Sequence, residues 1–381
     1  MSLVRQTLIA FRHELHRFPE VSGAEGQTAQ RVCQALQTFA PDHIWREIGG
    51  TGLVALYDSP VPGPCLLLRA ELDALPIQEI NDFQHRSVYE GISHKCGHDG
   101  HTTILLGLAQ DLHQQPLQKG KVLLLFQPAE ETGAGAKAML EDPQWADIPQ
   151  PDYVFALHNL PGYPLGQVVL REGAITAAVR SMIIRLYGKT AHAAEPEHGV
   201  NPAAALADIL PALQIISNNQ VNRTGFKVIT PVYIMVGEKA YGVAAGYGEL
   251  HLTIRTWTEE VMEELIAEIS QVLAQAEQQR GIHYEIDWTD TFLGNTNHPE
   301  ASASLLEAAK AAGLSTTMLS TPLKWGEDFG YFTQGYPGAF LGLGAGENCP
   351  ALHNPDYDFP NELIEMGVVL WEALLTVYKM R

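Results

Sequence analysis

The chain has 381 residues, 46% hydrophobic and 18% charged, a balance that excludes an intrinsically disordered chain and points to two globular domains rather than one. Acidic residues outnumber basic ones by 44 to 24, and the formal charge of -20 would repel nucleic acid and anionic membrane surfaces. The charge otherwise reads as solubility and names no substrate.

The opening segment, MSLVRQTLIAFRHELHRFPE, places Leu8, Phe11, Leu15 and Phe18 at helical spacing before Pro19 stops the pattern. Its charges leave no uninterrupted apolar core for a secretion signal. After a second helix, short apolar runs at 53–57, 65–69, 122–127 and 153–157 are bounded by Gly, Pro or Asp and predict strands. Such runs fall far short of the roughly 20 apolar residues that span a bilayer. A helical pattern at 102–113 lies between them, and the alternation predicts an α/β domain with a mainly parallel sheet covered on both faces. Loops beyond the carboxyl ends of such strands are where sites gather. From about residue 180 the texture changes to strand, helix, strand, strand, helix, strand, over 181–189, 201–217, 227–236, 249–257, 259–280 and 283–288. That order predicts an inserted ferredoxin-like α+β lid domain at 178–288, with the first domain formed by 1–177 and 289–381. A helix at 301–312, a strand at 339–343 and a helix at 363–378 complete the first domain. The cysteines Cys33, Cys65, Cys96 and Cys349 form no C-x-x-C pair and no disulfide framework, so a reducing, cytoplasmic setting is expected.

The densest chemistry is HKCGHDGH at 94–101, with three His, one Cys and one Asp in eight positions. Thiolate, imidazole and carboxylate are transition-metal ligands, and Cys96 and His98 are spaced so that a short loop can aim both at one ion. Gly97 and Gly100 give the backbone room to bend, and His101 can instead begin the following helix. In FQPAEETGAGA, at 126–136, an apolar strand runs into Glu130 and Glu131. Adjacent glutamates are ordinarily solvated surface, but two buried like charges require cations. One carboxylate can then ligate while the other holds the attacking water and takes its proton. ALHNLPG at 156–162 and ALHNPDYDFP at 351–360 add His158 and His353. A lone histidine is more often structural, and the repeated strand-end placement argues for function. Arg69, Glu71 and Asp73 alternate in RAELDALPI, so on a strand they share a face and can orient ligands from behind.

Together with YGKTAHAAEP at 187–196 and KWGEDFGYF at 324–332, these segments resemble, in order and along nearly the whole chain, the aminoacylase-like metallopeptidase family. The likeness is to its branch of hippurate hydrolases, indoleacetyl-amino-acid hydrolases and bacterial N-acyl-amino-acid amidohydrolases. The resemblance implies two divalent ions (Zn, Mn, Co or Ni) held by Cys96, His98, Glu131, His158 and His353. It makes Glu130 the general acid/base and His192, on the lid, the group that polarises the scissile carbonyl. It also implies a homodimer formed through the lid and small N-acyl amino acid substrates, with Arg255 contacting the substrate carboxylate. Glu71 and Asp73 fall behind the ligands, and Glu327 and Asp328 near the site, where an ion pair or helix cap is the alternative role. Two departures stand out. Glu71 occupies a position where the branch more often has Asp, and Gly242 replaces the Asn of an N-V-I-P segment that would help hold the substrate carboxylate. A dipeptidase or aminopeptidase with the same site, and a catalytically silent small-molecule binder, are the competing readings. A serine hydrolase is disfavoured because no G-x-S-x-G occurs.

Overall fold

The computed structural model of the chain describes residues 3–381; Met1 and Ser2, the start of the segment read for a secretion signal, lie outside them. The chain divides into two compact units, Met1–Ile175 with Asn295–Ser320 and Glu327–Arg381, and Thr176–Gly294 with Thr321–Gly326.

The first unit is built on an eight-stranded sheet. Its centre is formed by Lys121–Gln127, Cys65–Glu71, Tyr153–Pro161 and Gly338–Gly346, each parallel to its neighbour. On one flank Gly52–Asp58 and His43–Ile48 run antiparallel. On the other, Val168–Leu170 is antiparallel to Gly338–Gly346 and parallel to Thr316–Met318. The four central strands are therefore parallel, with antiparallel pairings entering on both flanks. The sequence shows why. KVLLLFQ and CLLLRAE are almost continuously apolar, and every residue of Cys65–Glu71 is buried, which requires cover on both faces. The core joins Leu66, Leu68, Leu124 and Phe155 of the sheet to Ile104, Leu108, Trp371 and Leu374 of the helices His98–Gln114 and Glu362–Val377.

The helix expected at 102–113 begins earlier, at His98. Gly97 precedes it at φ 98°, a left-handed conformation that glycine adopts without penalty, and a Cβ there would collide with the Asn159 carboxamide. Gly100 serves close approach rather than bending: it lies inside the helix, packed on the Phe359 ring.

The second unit carries a four-stranded antiparallel sheet in the order Lys227–Val236, Tyr247–Thr256, Ala178–Tyr187, His283–Phe292. With the helices Pro202–Ile216 and Glu259–Arg280 it follows the ferredoxin-like succession. Burial alternates strictly along Tyr247–Thr256, so one face is packed and the other is not. Leu250, Leu252 and Ile254 meet Ile209, Leu213, Leu265 and Ile269 of the helices on the packed face. The long helix is set by Thr258, whose hydroxyl accepts from the Val261 N–H, and ends at Gly281 in the left-handed region. The last strand continues past the expected Trp288 to Phe292, with a register shift after Thr289. Among the described residues no helix is long and apolar enough to cross a membrane.

Candidate metal centre

In the first unit the central strands deliver their following loops to one end of the sheet, and the five expected ligands meet there. Cys96, His98 and His158 place a donor atom each within 4.8 Å of one another, and so do Cys96, Glu131 and His353. Cys96 belongs to both groups. Glu130 and Glu131 share a third group with His98, whose Nε2 lies 3.8 Å from Glu130 Oε2 and 3.9 Å from Glu131 Oε1.

Each buried imidazole is aimed by a contact behind it. His98 Nδ1 faces the Asp73 carbonyl at 3.0 Å and Asp73 Oδ1 at 3.1 Å. His158 Nδ1 faces the Asn159 carbonyl at 2.9 Å. A proton on Nδ1 in each ring leaves the Nε2 lone pair free for an ion. Asp73 is itself fixed by the Ser22 hydroxyl at 2.7 Å and by the Glu131 N–H at 3.0 Å, so one carboxylate orients His98 and the backbone of Glu131 together. Glu71 accepts from Arg69 and lies 2.8 Å from His101 Nδ1, while His101 Nε2 is 2.6 Å from Asn159 Oδ1. Glu71 thus braces His101, and His101 braces the carboxamide that follows His158.

Glu327 and Asp328 resolve as part of a buried ion-pair network. Arg69, fully buried, donates to Glu327 Oε1 at 2.9 Å, Asp328 Oδ1 at 2.8 Å and Gln127 Oε1 at 2.9 Å. Both carboxylates also stand within 4.8 Å of Glu130.

The electrostatics describe a site with surplus negative charge. Burial, then Glu327, Glu131 and Asp328, hold the Glu130 carboxyl well above the usual range. Burial, then Glu131 and Glu130, push the Cys96 thiol up strongly. Asp328 is pushed up to about 7, by burial and by Glu327 against the opposing pull of Arg69. Burial pulls His98 down, but Asp73, Glu71 and Glu131 outweigh it and raise the ring to about 10. The acids draw a proton onto the ring nitrogens, the position a cation would take. His98 Nε2 and Glu131 Oε1 are buried without a hydrogen-bond partner, an arrangement that costs stability unless something is bound between them. Thiolate, imidazole and carboxylate in two overlapping groups fit a pair of divalent transition-metal ions.

A family model for Peptidase family M20/M25/M40 matches residues 67–377. The chain belongs to that family. It is 32% identical to the N-acetyldiaminopimelate deacetylase of Bacillus subtilis, over 98% of this chain and 99% of that protein. It is 34% identical to the N-acetyl-L-cysteine deacetylase of the same organism, over 98% of this chain and 88% of that protein. Among solved structures it is similar to the Bacillus subtilis YXEP protein, described as a dinuclear metal-binding peptidase of the M20 family. That likeness has a TM-score of 0.84 and 28% identity, and covers 99% of this chain and 98% of the other.

The remaining expected site residues belong to the second unit. His192 sits in a short pairing of Ala191–His192 with Val243–Ala244 and is exposed. The Ala194 N–H donates to His192 Nδ1 at 3.1 Å, so in the neutral ring Nε2 carries the proton and is the free donor. Arg255 donates to the Lys324 carbonyl at 2.8 Å, and its partial burial lowers its pKa while leaving it cationic. Gly242 accepts from the Ala193 N–H at 3.0 Å, and a Cβ there would meet nothing within 4 Å. Backbone geometry therefore does not demand glycine at this position. Sequence reasoning missed Asn159 and left His101 open; the Asn after His158 was the available signal, since a polar side chain ending a buried strand needs a partner.

Proposed function

We propose that this family member hydrolyses the amide bond of small N-acyl amino acids. The reading is carried by the juxtaposition of Glu130 with two overlapping sets of metal-ligating side chains that share Cys96. The deacetylase names of the similar Bacillus proteins support the reaction class, and the dinuclear description of the YXEP protein supports a two-ion site. Cys96, His98 and His158 would hold one divalent ion, and Cys96, Glu131 and His353 the other. Mn, Zn, Co and Ni all suit this donor set. When bound, the pair supplies Lewis acidity for the carbonyl and for the attacking water.

The chain's own groups perform the proton transfers. Glu130 takes a proton from the attacking water as its oxygen bonds to the carbonyl carbon. The same carboxyl returns that proton to the amine nitrogen as the C–N bond breaks. His192, through Nε2–H, is the proposed donor to the carbonyl oxygen as negative charge gathers there. Arg255 is the proposed partner of the substrate carboxylate. Asp73 and Glu71 keep the ligand rings oriented from behind.

We further propose a cytoplasmic homodimer formed through the second unit, acting as an inserted lid, with no nucleic-acid or membrane partner. Exposed Val232, Tyr233 and Ile234 on the edge strand Lys227–Val236 support a protein-covered edge. The test is hydrolysis of a panel of N-acyl amino acids and dipeptides by chelated and reloaded protein, together with Glu130→Gln. The variant should keep its metal and lose about 10²–10⁴-fold in kcat. Undiminished turnover in Glu130→Gln would sink the assignment.

A further inference from the structure

Lys95 sits between His94 and Cys96, and nothing in the chemistry above uses it. A lysine is ordinarily a surface residue, yet this one is completely buried. Its ammonium has three donors and meets three acceptors: Glu79 Oε1 at 2.6 Å, Asn81 Oδ1 at 2.9 Å and the Tyr357 carbonyl at 2.8 Å. Its own carbonyl accepts from the His353 N–H at 2.8 Å. Lys95 therefore grips the loop that carries His353 at two points, one at the ligand itself and one four residues later.

The five expected ligands are not equally supported. His98 and His158 are buried, and each has a hydrogen bond behind the ring. The His353 side chain is 51% exposed, its Nε2 lies 3.5 Å from Glu131 Oε1, and a ring nitrogen lies within 4.8 Å of the Cys96 sulfur. Its backbone adopts φ 65°, a conformation that a non-glycine residue holds only when its surroundings impose it. Its constraints are the turn closed by the Asn354 N–H on the Ala351 carbonyl at 3.2 Å and the two contacts from Lys95. Glu79 anchors the ammonium in turn, accepting from the Ser87 N–H at 2.7 Å and lying 3.0 Å from His16 Nε2. Tyr357 extends the brace, because its hydroxyl accepts from Asn159 Nδ2 at 2.7 Å, next to His158.

We infer that Lys95 is a positioning residue that locks the His353 loop against the Cys96 loop, and so governs retention of the ion that Cys96, Glu131 and His353 would hold. The other ion, on Cys96, His98 and His158, keeps separate supports at Asp73 and the Asn159 carbonyl and should weaken less. The inference rests on the two-ion reading above.

The experiment is Co²⁺ titration of chelated protein, followed by metal counting after dialysis, for wild type, Lys95→Met and the charge-balanced Lys95→Met/Glu79→Gln. Wild type should retain two equivalents. Lys95→Met should retain one tightly and bind the second about 10- to 100-fold more weakly, the range typical when a group supporting a ligand is lost. The double variant removes the carboxylate left without its ammonium. It should recover thermal stability relative to Lys95→Met without recovering the second ion, because the donor to Tyr357 is still missing. A folded single or double variant that binds both ions with wild-type affinity overturns the inference while leaving the two-ion reading standing. Equal weakening of both ions also overturns it. A wild-type chain that takes up no Co²⁺ overturns both.

Discussion

The two units handle charge in opposite ways. In the first, Arg69 is buried among Glu71, Glu327 and Asp328, and Lys95, Glu79, His16 and Asp99 form a second buried network. In the second, the packed face of the sheet is apolar, and ion pairs such as Arg180 with Glu263 and Lys227 with Glu268 keep at least one partner in solvent. A buried pair is costly to form and costlier to break, since removing one partner strands the other. A solvated pair contributes little either way. The first unit therefore concentrates charge for chemistry, and the second obtains its stability from apolar contact.

Substitutions in each unit can break or sharpen this contrast. The largest effect is expected from Cys96→Ala, because its sulfur belongs to both ligand groups. Both ions should be lost on metal counting, and the drop in turnover should exceed the ~10²–10⁴-fold contribution of a proton-transfer group. His192→Ala in the second unit should cost about 10²–10³-fold in kcat, the range for an oxyanion donor, with metal content unchanged. Metal loss in that variant would contradict the division of roles. Leu252→Ala, in the packed face, should destabilise by about 2–5 kcal/mol in denaturant unfolding and leave metal affinity as it was.

The smallest effect is a pH dependence. Burial raises Glu79, but hydrogen bonds with His16 and Lys95 outweigh it and hold the group at about 2, against an ordinary value of 4.5. A depressed carboxyl stabilises the fold fully above 4.5 and loses that contribution as pH falls towards 2. Glu79→Gln should therefore flatten the stability profile between these limits. An acid limb as steep as that of the wild type would remove Glu79 from the network.

Much of this was legible in the sequence, for identifiable reasons. Period and run length revealed the continuous strands of the first unit and the alternating strand Tyr247–Thr256 of the second. The cluster HKCGHDGH was visible because several ligand types crowd a few positions. The short flanking strands Val168–Leu170 and Thr316–Met318 went unread, since three residues carry no period. The start of the helix at His98 was also hidden, because the left-handed Gly97 that begins it is conformationally indistinguishable in sequence from a loop glycine.

By itself the sequence determined the chemistry available: a thiol and imidazoles crowded at 94–101, paired carboxylates just after an apolar strand, and further histidines elsewhere. Local rules suffice for that, since hydrophobic period sets the elements and residue type sets the donors. Only the tertiary structure decided which donors meet and what braces them. Glu71 against His101, Asn159 beside Tyr357 and Lys95 across to the His353 loop join positions 30 to 262 residues apart. A buried polar group takes whatever partner the packed fold brings within 3 Å or so, and sequence spacing carries no record of that partner.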